Sequence, residues 1–179
     1  MLSRDDTLLV LVDVQGKLAQ LMHDRDALFE YLQRLVRGVR VLGLPVIWLE
    51  QNPRGLGPTL PELAALLPDL TPIAKLCFSC CRSPEFMRAL RATGRRQVLV
   101  CGIEAHVCVY QTTVDLLALG YEVQVVTDAV SSRAAANRQI GLERVRVAGA
   151  ALTSAEMCLF ELQRVAEGPV FKELLKIVR

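Results

Sequence analysis

The chain has 179 residues, of which 52% are hydrophobic and 22% are charged, a balance that excludes disordered and fibrous classes and predicts one globular domain over residues 1–179. Its 21 Lys and Arg against 19 Asp and Glu leave a formal net charge of +2, so charge gives no reason to expect a nucleic-acid partner. The apolar runs fall far short of the ~20 residues of a membrane span. The charged start Arg4-Asp5-Asp6 does not fit a secretory signal, so we expect a cytoplasmic protein with no membrane partner.

Strand and helix patterns alternate from the start of the chain. Residues 7–14 form a nearly continuous apolar run, which is typical of a buried parallel strand. Apolar residues at helical spacing over 26–42 predict a helix, and a short strand is expected over 45–49. Three prolines and two glycines within residues 51–61 predict a loop, after which we expect a helix over 60–67.

The second half continues this alternation. A strand over residues 71–75 leads into a cysteine-rich turn at 76–81, and Ser83 followed by Pro84 predicts the start of a helix that ends near residue 93. The remaining predictions are a buried strand over 95–102, a helix over 105–119, a strand over 122–127, a helix over 134–149, an edge strand at 152–153 and a helix capped by Ser154. This order indicates a three-layer α/β/α fold with a mostly parallel, doubly wound sheet.

Three chemically distinctive residues follow predicted strands. Asp13 and Lys75 each end a strand, and Cys108 lies at the start of the helix after the 95–102 strand. Because ligands bind at the carboxyl ends of parallel strands, we expect these residues at one edge. A nearby cation and a helix N-terminus activate a thiol, and a carboxylate can accept its proton and later return it. Each residue alone also fits a structural role, as a turn residue, a solvated lysine or a packed cysteine.

The segments that carry these residues resemble a known family. VDVQ at residues 12–15, AK at 74–75 and GIEAHVC at 102–108 are similar to the motifs of isochorismatase-like cysteine hydrolases. EQNPRGLGPTLPEL at residues 50–63 resembles the branch known as isochorismatase-domain-containing proteins. The resemblance covers almost the whole chain and implies a Rossmann-like fold and hydrolase activity.

The resemblance also implies specific roles. It assigns a catalytic triad to Asp13, Lys75 and Cys108, and a cis peptide bond between Ile103 and Glu104. It further implies an oxyanion hole made by the backbone N–H groups of Glu104 and Cys108. The implied chemistry is attack by sulfur on a small amide-type (C–N) substrate, a thioester acyl-enzyme and hydrolysis by water, with no cofactor.

Substrate contacts are less specific. The resemblance places Gln15 near the triad, where we expect it to orient other groups. We expect Phe78, Ser79, His106 and Tyr110 to line the pocket for a small-molecule substrate, although His106 equally fits a packing role. The resemblance suggests a homo-oligomer, either a dimer or a larger assembly.

The histidine content disfavours a metal site. Metal-dependent nicotinamidases of this family place an Asp and several His after the second strand, where this chain has QNPR at residues 51–54. The chain has only two histidines, His23 and His106, so we expect no bound metal and no nicotinamidase activity. The presence of Cys108 also disfavours the opening of isochorismate, which several relatives perform without this cysteine.

Two other functions remain open. Cys77 and Cys80 form a C-x-x-C pair, as in thiol-redox proteins, but Pro84 places the helix start later than in a thioredoxin-like site. The chain also fits a non-catalytic interaction protein on a retained hydrolase scaffold. We favour a cysteine hydrolase over both.

Overall fold

The computed structural model describes residues 1–179 and contains six strands and nine helices. The strands are β1 (Thr7–Val12), β2 (Val46–Gln51), β3 (Ile73–Lys75), β4 (Gln97–Ile103), β5 (Glu122–Ser131) and β6 (Ala151–Thr153). The helices are α1 (Gly16–Gln20), α2 (Arg25–Val41), α3 (Pro53–Leu56), α4 (Pro61–Ala64), α5 (Pro84–Ala92), α6 (Tyr110–Ala118), α7 (Ala135–Val147), α8 (Ala155–Gln163) and α9 (Gly168–Val178). A 3₁₀ turn covers Cys80–Arg82, and a π-helical segment covers Ala105–Val109.

The six strands form one sheet in the order β3-β2-β1-β4-β5-β6, and every neighbouring pair is parallel. The order runs outward in both directions from β1 and β4, so the sheet is doubly wound. The point where the order reverses lies between these two strands, at the place where open α/β sheets bind ligands. The predicted fold class is confirmed.

Two hydrophobic clusters separate the sheet from the helices on its two faces. All residues of β1 and β4 are buried, as expected of central parallel strands. Leu9 and Leu11 pack in the cluster that contains residues of α2, α8 and α9. Leu8 and Val10 point to the other face and pack with residues of α5, α6 and α7. Alternation of side chains along one strand thus produces the three layers.

Two predicted helix starts have the expected caps. The hydroxyl of Ser83 accepts a hydrogen bond from the Phe86 N–H, and α5 begins at Pro84. The hydroxyl of Ser154 accepts a hydrogen bond from the Met157 N–H at the start of α8. These contacts satisfy N–H groups that the first turn of a helix leaves unpaired.

Three predictions of local structure were wrong. Residues 51–61 are not a continuous loop, because Gln51 ends β2 and Pro53 begins the short helix α3 after Asn52 adopts a left-handed conformation. Strand β5 continues past the predicted residue 127 to Ser131, since an irregularity in its pairing with β4 allows pairing to resume further along. The helix after β4 begins with a π-helical segment.

No helix is both long enough and apolar enough to cross a lipid bilayer.

Candidate active site

Three predicted residues lie at the carboxyl edge of the sheet. Asp13 directly follows β1, Lys75 is the last residue of β3, and Cys108 lies in the π-helical segment after β4. Because β1 lies between β2 and β4, Asp13 occupies the position where the strand order reverses. The structure therefore places the three residues at the same edge of the sheet.

Lys75 and Asp13 form a buried ion pair. The Nζ of Lys75 lies 2.7 Å from Oδ2 of Asp13, and the two side chains are 0% and 2% exposed. Nζ also donates to Oε1 of Gln51 at 2.8 Å and to the carbonyl oxygens of Cys77 and Phe78 at 3.2 and 3.3 Å. An ammonium group has three N–H donors, so the protein itself engages all of them.

One carboxylate oxygen of Asp13 accepts no hydrogen bond from the chain. Its Oδ1 is buried and has no hydrogen-bond partner within the chain. Burial raises the pKa of Asp13, while the neighbouring Lys75 acts in the opposite direction. A buried carboxylate with an unpartnered oxygen is a stronger proton acceptor than an exposed one. Asp13 has a φ of 55°, a left-handed conformation that Asp adopts more readily than most residues.

Lys75 remains a cation in this environment. Burial is the largest single influence and lowers the pKa of Lys75, but the influences of Asp13, Cys80 and Cys108 together outweigh it. The pKa of Lys75 therefore lies above its ordinary value. A permanent positive charge thus lies beside the Asp13 carboxylate.

The surroundings of Cys108 favour the protonated form of its thiol. The residue is 6% exposed, and burial raises the pKa of its thiol to about 12. The charge of Asp13 and its contact with the thiol act in the same direction as burial, whereas Lys75 opposes them. The effect of the nearby cation is outweighed, because the thiol is buried and a carboxylate lies beside it.

Two close backbone contacts determine the position of the π-helical segment Ala105–Val109, termed the Cys108 segment. At Gly102, where φ is 114°, a Cβ atom would lie 2.0 Å from the carbonyl oxygen of Val12 in β1. At Gly141 in α7, a Cβ atom would lie 2.7 Å from the carbonyl group of Ala105. Both distances are too short for any residue with a side chain. Glycine at these positions lets the segment fit between β1 and α7.

Gln15 reaches the ion pair through Gln51. Oε1 of Gln15 accepts from the Gln51 N–H at 2.6 Å, and its Nε2 donates to the carbonyl oxygens of Gln51 and Gly57 at 3.2 and 2.7 Å. The Gln51 side chain then accepts from Lys75 and donates to the Leu76 carbonyl at 2.8 Å. The expected substrate contact of Gln15 stays a prediction, since its amide is occupied by backbone groups.

Phe78, Ser79 and Tyr110 line one pocket of about 260 Å³. Phe78 is 53% exposed, whereas the hydroxyl of buried Ser79 donates to Oδ2 of Asp115 at 2.8 Å. The three residues therefore share one cavity, which His106 and the predicted triad do not line. Their contact with a substrate stays a prediction.

Glu104 and His106 contact residues that follow β5. Nδ1 of His106 lies 2.9 Å from Oγ of Ser132, and the Glu104 carboxylate accepts from the N–H and the Nε of Arg133 at 2.9 and 3.2 Å. The peptide bond between Ile103 and Glu104 is cis. The N–H of Glu104 donates no hydrogen bond within the chain.

Neither the other cysteines nor His23 belongs to a group of side chains that could hold a metal ion. All six cysteines are free thiols, and Cys80 is fully buried, which raises the pKa of its thiol well above the ordinary value. Cys77 is half-buried in the turn before α5. His23 is exposed, and no group of three or more His, Cys, Asp or Glu is placed to hold a metal ion.

Sequence reasoning missed Gln51, Ser132 and Arg133. Gln51 ends β2 at the same edge of the sheet, so the strand-end rule that selected Lys75 applies equally to it. Ser132 and Arg133 follow β5 directly. The predicted end of that strand at residue 127 placed them away from the edge.

Comparisons with known proteins agree with this architecture. The sequence model of the isochorismatase domain family matches residues 7–157. A curated relative from Bos taurus, isochorismatase domain-containing protein 2, is 39% identical over 174 residues, which are 97% of this chain and 83% of the relative. The structure of MAR1 ribonuclease from Caenorhabditis elegans is 38% identical with a TM-score of 0.93, covering 99% of this chain and 91% of that chain. The YcaC gene product of Escherichia coli, described as an octameric hydrolase of unknown specificity, is 28% identical with a TM-score of 0.93, covering 98% and 89%.

Proposed function

The chain belongs to the isochorismatase domain family, and from this premise we propose that it is a cysteine hydrolase cleaving a small amide-type (C–N) substrate through a thioester acyl-enzyme. The proposed roles are nucleophile for Cys108, general base and then acid for Asp13, and electrostatic partner for Lys75. The observation that carries the proposal is the buried ion pair of Lys75 and Asp13, with the Cys108 thiol close enough for both charges to affect its pKa.

Acylation begins from the protonated thiol. Because burial, followed by the charge of Asp13, raises the pKa of Cys108 to about 12, attack requires the proton to leave as the S–C bond forms. We assign Oδ1 of Asp13 as the acceptor, since Oδ2 is held by Lys75. The tetrahedral intermediate collapses when the C–N bond breaks. Asp13 then gives the proton to the departing nitrogen, which leaves a thioester on Cys108.

Water completes the proposed cycle. Asp13, ionised again, accepts a proton as the water oxygen attacks the thioester carbonyl. The C–S bond breaks, the proton passes to the sulfur of Cys108, and a carboxylic acid leaves. This sequence of steps uses no cofactor.

Lys75 is proposed to act by its charge. Its N–H donors are engaged by Asp13, Gln51 and two backbone carbonyls, so none is left for a substrate. The positive charge opposes the effect of burial on the pKa of Asp13, and it lowers the energy of negative charge that develops on sulfur.

We propose the backbone N–H groups of Glu104 and Cys108 as the oxyanion hole. The unpaired N–H of Glu104 supports this assignment. Cys108 belongs to the first turns of the helical segment that begins at Ala105, where partial positive charge favours an anion. In other enzymes, the loss of one such donor lowers kcat by about 10²–10³-fold.

The proposed pocket residues are Phe78, Ser79 and His106, with Gln15 orienting the groups around Lys75. Phe78 offers an apolar surface next to the site, since 53% of it is exposed. We further propose a cytoplasmic homo-oligomer, a dimer or larger. The octameric assembly described for the Escherichia coli relative supports an oligomer.

RNA hydrolysis is a second candidate function. It is favoured by the name of the Caenorhabditis elegans relative, MAR1 ribonuclease, which is 38% identical. The net charge of +2 gives RNA little general electrostatic attraction, so we place this candidate second.

The decisive experiment compares the wild type with Cys108→Ala on a panel of small amides, ureas and carbamates and on a labelled RNA. We expect wild type to hydrolyse at least one C–N substrate and to carry a thioester adduct on Cys108, detected by mass spectrometry. In Cys108→Ala, turnover should fall by about 10⁴-fold or more. Cys158→Ala, which removes a buried thiol on the opposite face of the sheet, is the matched control and should stay active.

Each alternative predicts a different result. Turnover that persists in Cys108→Ala contradicts the assigned nucleophile. RNA cleavage that depends on Cys108, without amide hydrolysis, favours the ribonuclease. Reversible oxidation confined to Cys77 and Cys80 favours a redox protein, and a wild type without any activity or adduct favours the non-catalytic scaffold.

A further inference from the structure

Residues 131–133, termed the β5 exit, contact the side chains of Glu104 and His106, which flank Ala105 at the start of the Cys108 segment. Oγ of Ser132 lies 2.9 Å from Nδ1 of His106. The backbone N–H of Arg133 donates to Oε2 of Glu104 at 2.9 Å, and its Nε lies 3.2 Å from both carboxylate oxygens. The β5 exit therefore attaches the end of β5 to the residues that connect β4 with the π-helical segment.

In the contact between Arg133 and Glu104, the carboxylate is buried and the guanidinium side chain is exposed. The Glu104 side chain is only 8% exposed, whereas that of Arg133 is 59% exposed. A buried carboxylate without a partner is costly, because it has lost its hydration. The position of the Glu104 carboxylate is consequently tied to the donors that Arg133 offers.

The other polar groups of Glu104 fix the rest of the residue. Its carbonyl oxygen accepts from the N–H groups of Val107 and Val109 at 3.0 and 3.2 Å. With the carboxylate and the carbonyl both held, these contacts restrain the backbone of the residue that carries the Glu104 N–H. That N–H is the one polar group of the residue without a partner in the chain.

We infer that Arg133 is a positioning residue: by holding the Glu104 carboxylate, it fixes the direction of the Glu104 N–H toward the oxyanion. This inference rests on the proposed function, because the oxyanion hole belongs to it. Arg133 acts through Glu104 and leaves the sulfur of Cys108 and the carboxylate of Asp13 unchanged. Acyl transfer should therefore depend on Arg133, whereas the reactivity of the thiol should not.

The test uses p-nitrophenyl acetate, an activated ester that requires no knowledge of the natural substrate. The Cys108 sulfur attacks the ester carbonyl, the C–O bond breaks, and p-nitrophenolate leaves while acetyl-Cys108 forms. Water then releases acetate and restores the thiol. The rate of p-nitrophenolate release is compared with the rate of Cys108 alkylation by iodoacetamide, which needs no oxyanion hole.

The variants are Arg133→Ala, Arg133→Lys and Glu104→Gln, with exposed Arg91→Ala in α5 as the matched control. In Arg133→Ala we expect kcat for acylation to fall about 10–100-fold, with KM changed less than about 2-fold. In Arg133→Ala, alkylation of Cys108 should stay within about 2-fold of wild type, since burial, Asp13 and Lys75 have the largest effects on the pKa of the thiol and the smaller effect of the Glu104 charge is retained. Arg133→Lys should restore part of the rate, because it keeps a cationic donor near Glu104.

Several outcomes would overturn the inference. Acylation at the wild-type rate in folded Arg133→Ala contradicts it, and an equal loss of acylation and alkylation indicates a general disturbance of the site. If Arg133→Ala does not fold, Glu104→Gln decides, since it weakens the same contact and should slow acylation. Alkylation of Cys108 should not slow in this variant, because loss of the Glu104 charge removes one influence that raises the pKa of the thiol. If Cys108 of the wild type is not acetylated, the proposed function is contradicted, and this inference fails with it.

Discussion

Asp13 affects the Cys108 thiol in two opposed ways. Its charge, added to the effect of burial, raises the pKa of the thiol and keeps the sulfur protonated before substrate binds. Its unpartnered Oδ1 is also the proposed acceptor of that same proton. A variant that keeps the shape of the side chain but removes its charge separates these two effects.

Asp13→Asn should make the thiol more reactive and the enzyme inactive. Removing the carboxylate lowers the pKa of Cys108, so iodoacetamide should label this residue at lower pH than in wild type, because more of the thiol is ionised at any given pH. Turnover should fall by at least about 10²-fold, since an amide cannot accept the proton. Peptide mass spectrometry between about pH 7 and pH 10 measures the labelling of Cys108.

The matched control for this variant is Asp69→Asn, which removes a surface carboxylate paired with Arg40. Its labelling profile should equal that of wild type. An Asp13→Asn protein that labels at the wild-type pH, or that retains full turnover, contradicts the proposed role of Asp13.

The sequence predicts the identities of these residues better than their electrostatics. Asp13 and Lys75 are recognisable because each ends a strand, and their contact follows from the shared edge of the sheet. The high pKa of Cys108 is not predictable in this way, because the depth of burial depends on how α7 and β1 enclose the segment. The contacts of Gln51 and Arg133 likewise arise from tertiary packing.

Among the elements, α7 has the most direct influence on the position of the Cys108 segment. It packs against the π-helical segment at Gly141, where there is no room for a side chain. The close approach fixes the start of the segment relative to the rest of the fold. The position of the sulfur thus depends on an element that contributes no residue to the proposed triad.

Gly141→Ala should separate α7 from the Cys108 segment. Overpacking against backbone atoms of Ala105 and His106 costs about 1–3 kcal/mol, partly offset by about 1 kcal/mol of improved helix propensity. We expect a modest fall in Tm and a loss of acylation of about tenfold or more, because small displacements of reacting groups are costly. Thermal unfolding and p-nitrophenyl acetate hydrolysis measure the two effects.

Gln139→Ala is the matched control, since Gln139 is exposed on the same helix. Its stability and activity should both remain close to those of wild type. Wild-type acylation in Gly141→Ala would mean that the close approach of α7 does not determine the position of the proposed nucleophile, Cys108.

The regular elements could largely be predicted from apolar periodicity, and the irregular ones could not. The strands β1 and β4 and the helices α2 and α5 lie close to their predicted limits. The short helix α3, the π-helical segment and the extension of β5 were missed. Each depends on local backbone geometry, such as the left-handed Asn52 or the irregular pairing of β5 with β4, which apolar periodicity does not encode.

For the molecule as a whole, alternation of strands and helices was enough to predict the doubly wound sheet. The topology then joins residues that are distant in sequence, since the contacting Asp13 and Lys75 are 62 positions apart. Substrate identity and assembly size are not predictable in the same way. They depend on pocket shape and on surfaces that a single chain leaves exposed.

Light scattering should give a mass of at least twice the 19.8 kDa of one chain. Several large apolar side chains are exposed, including Ile140 and Val147 on α7, which are 56% and 72% exposed, and such surface often contacts a partner. Measurements over a range of protein concentrations give the size of the assembly. A mass of one chain at every concentration would contradict the proposed oligomer.

The strand that carries Lys75 has a consequence for how the protein loses activity. β3 contains three residues and has one neighbour in the sheet, β2. Proteins open locally with free energies from near zero up to that of complete unfolding, and we expect a short strand at the edge of a sheet to open readily. Detachment of β3 would remove the ammonium group of Lys75 from Asp13 while the central strands stay intact. Mild denaturant is therefore expected to inactivate the protein well before its spectroscopic unfolding transition.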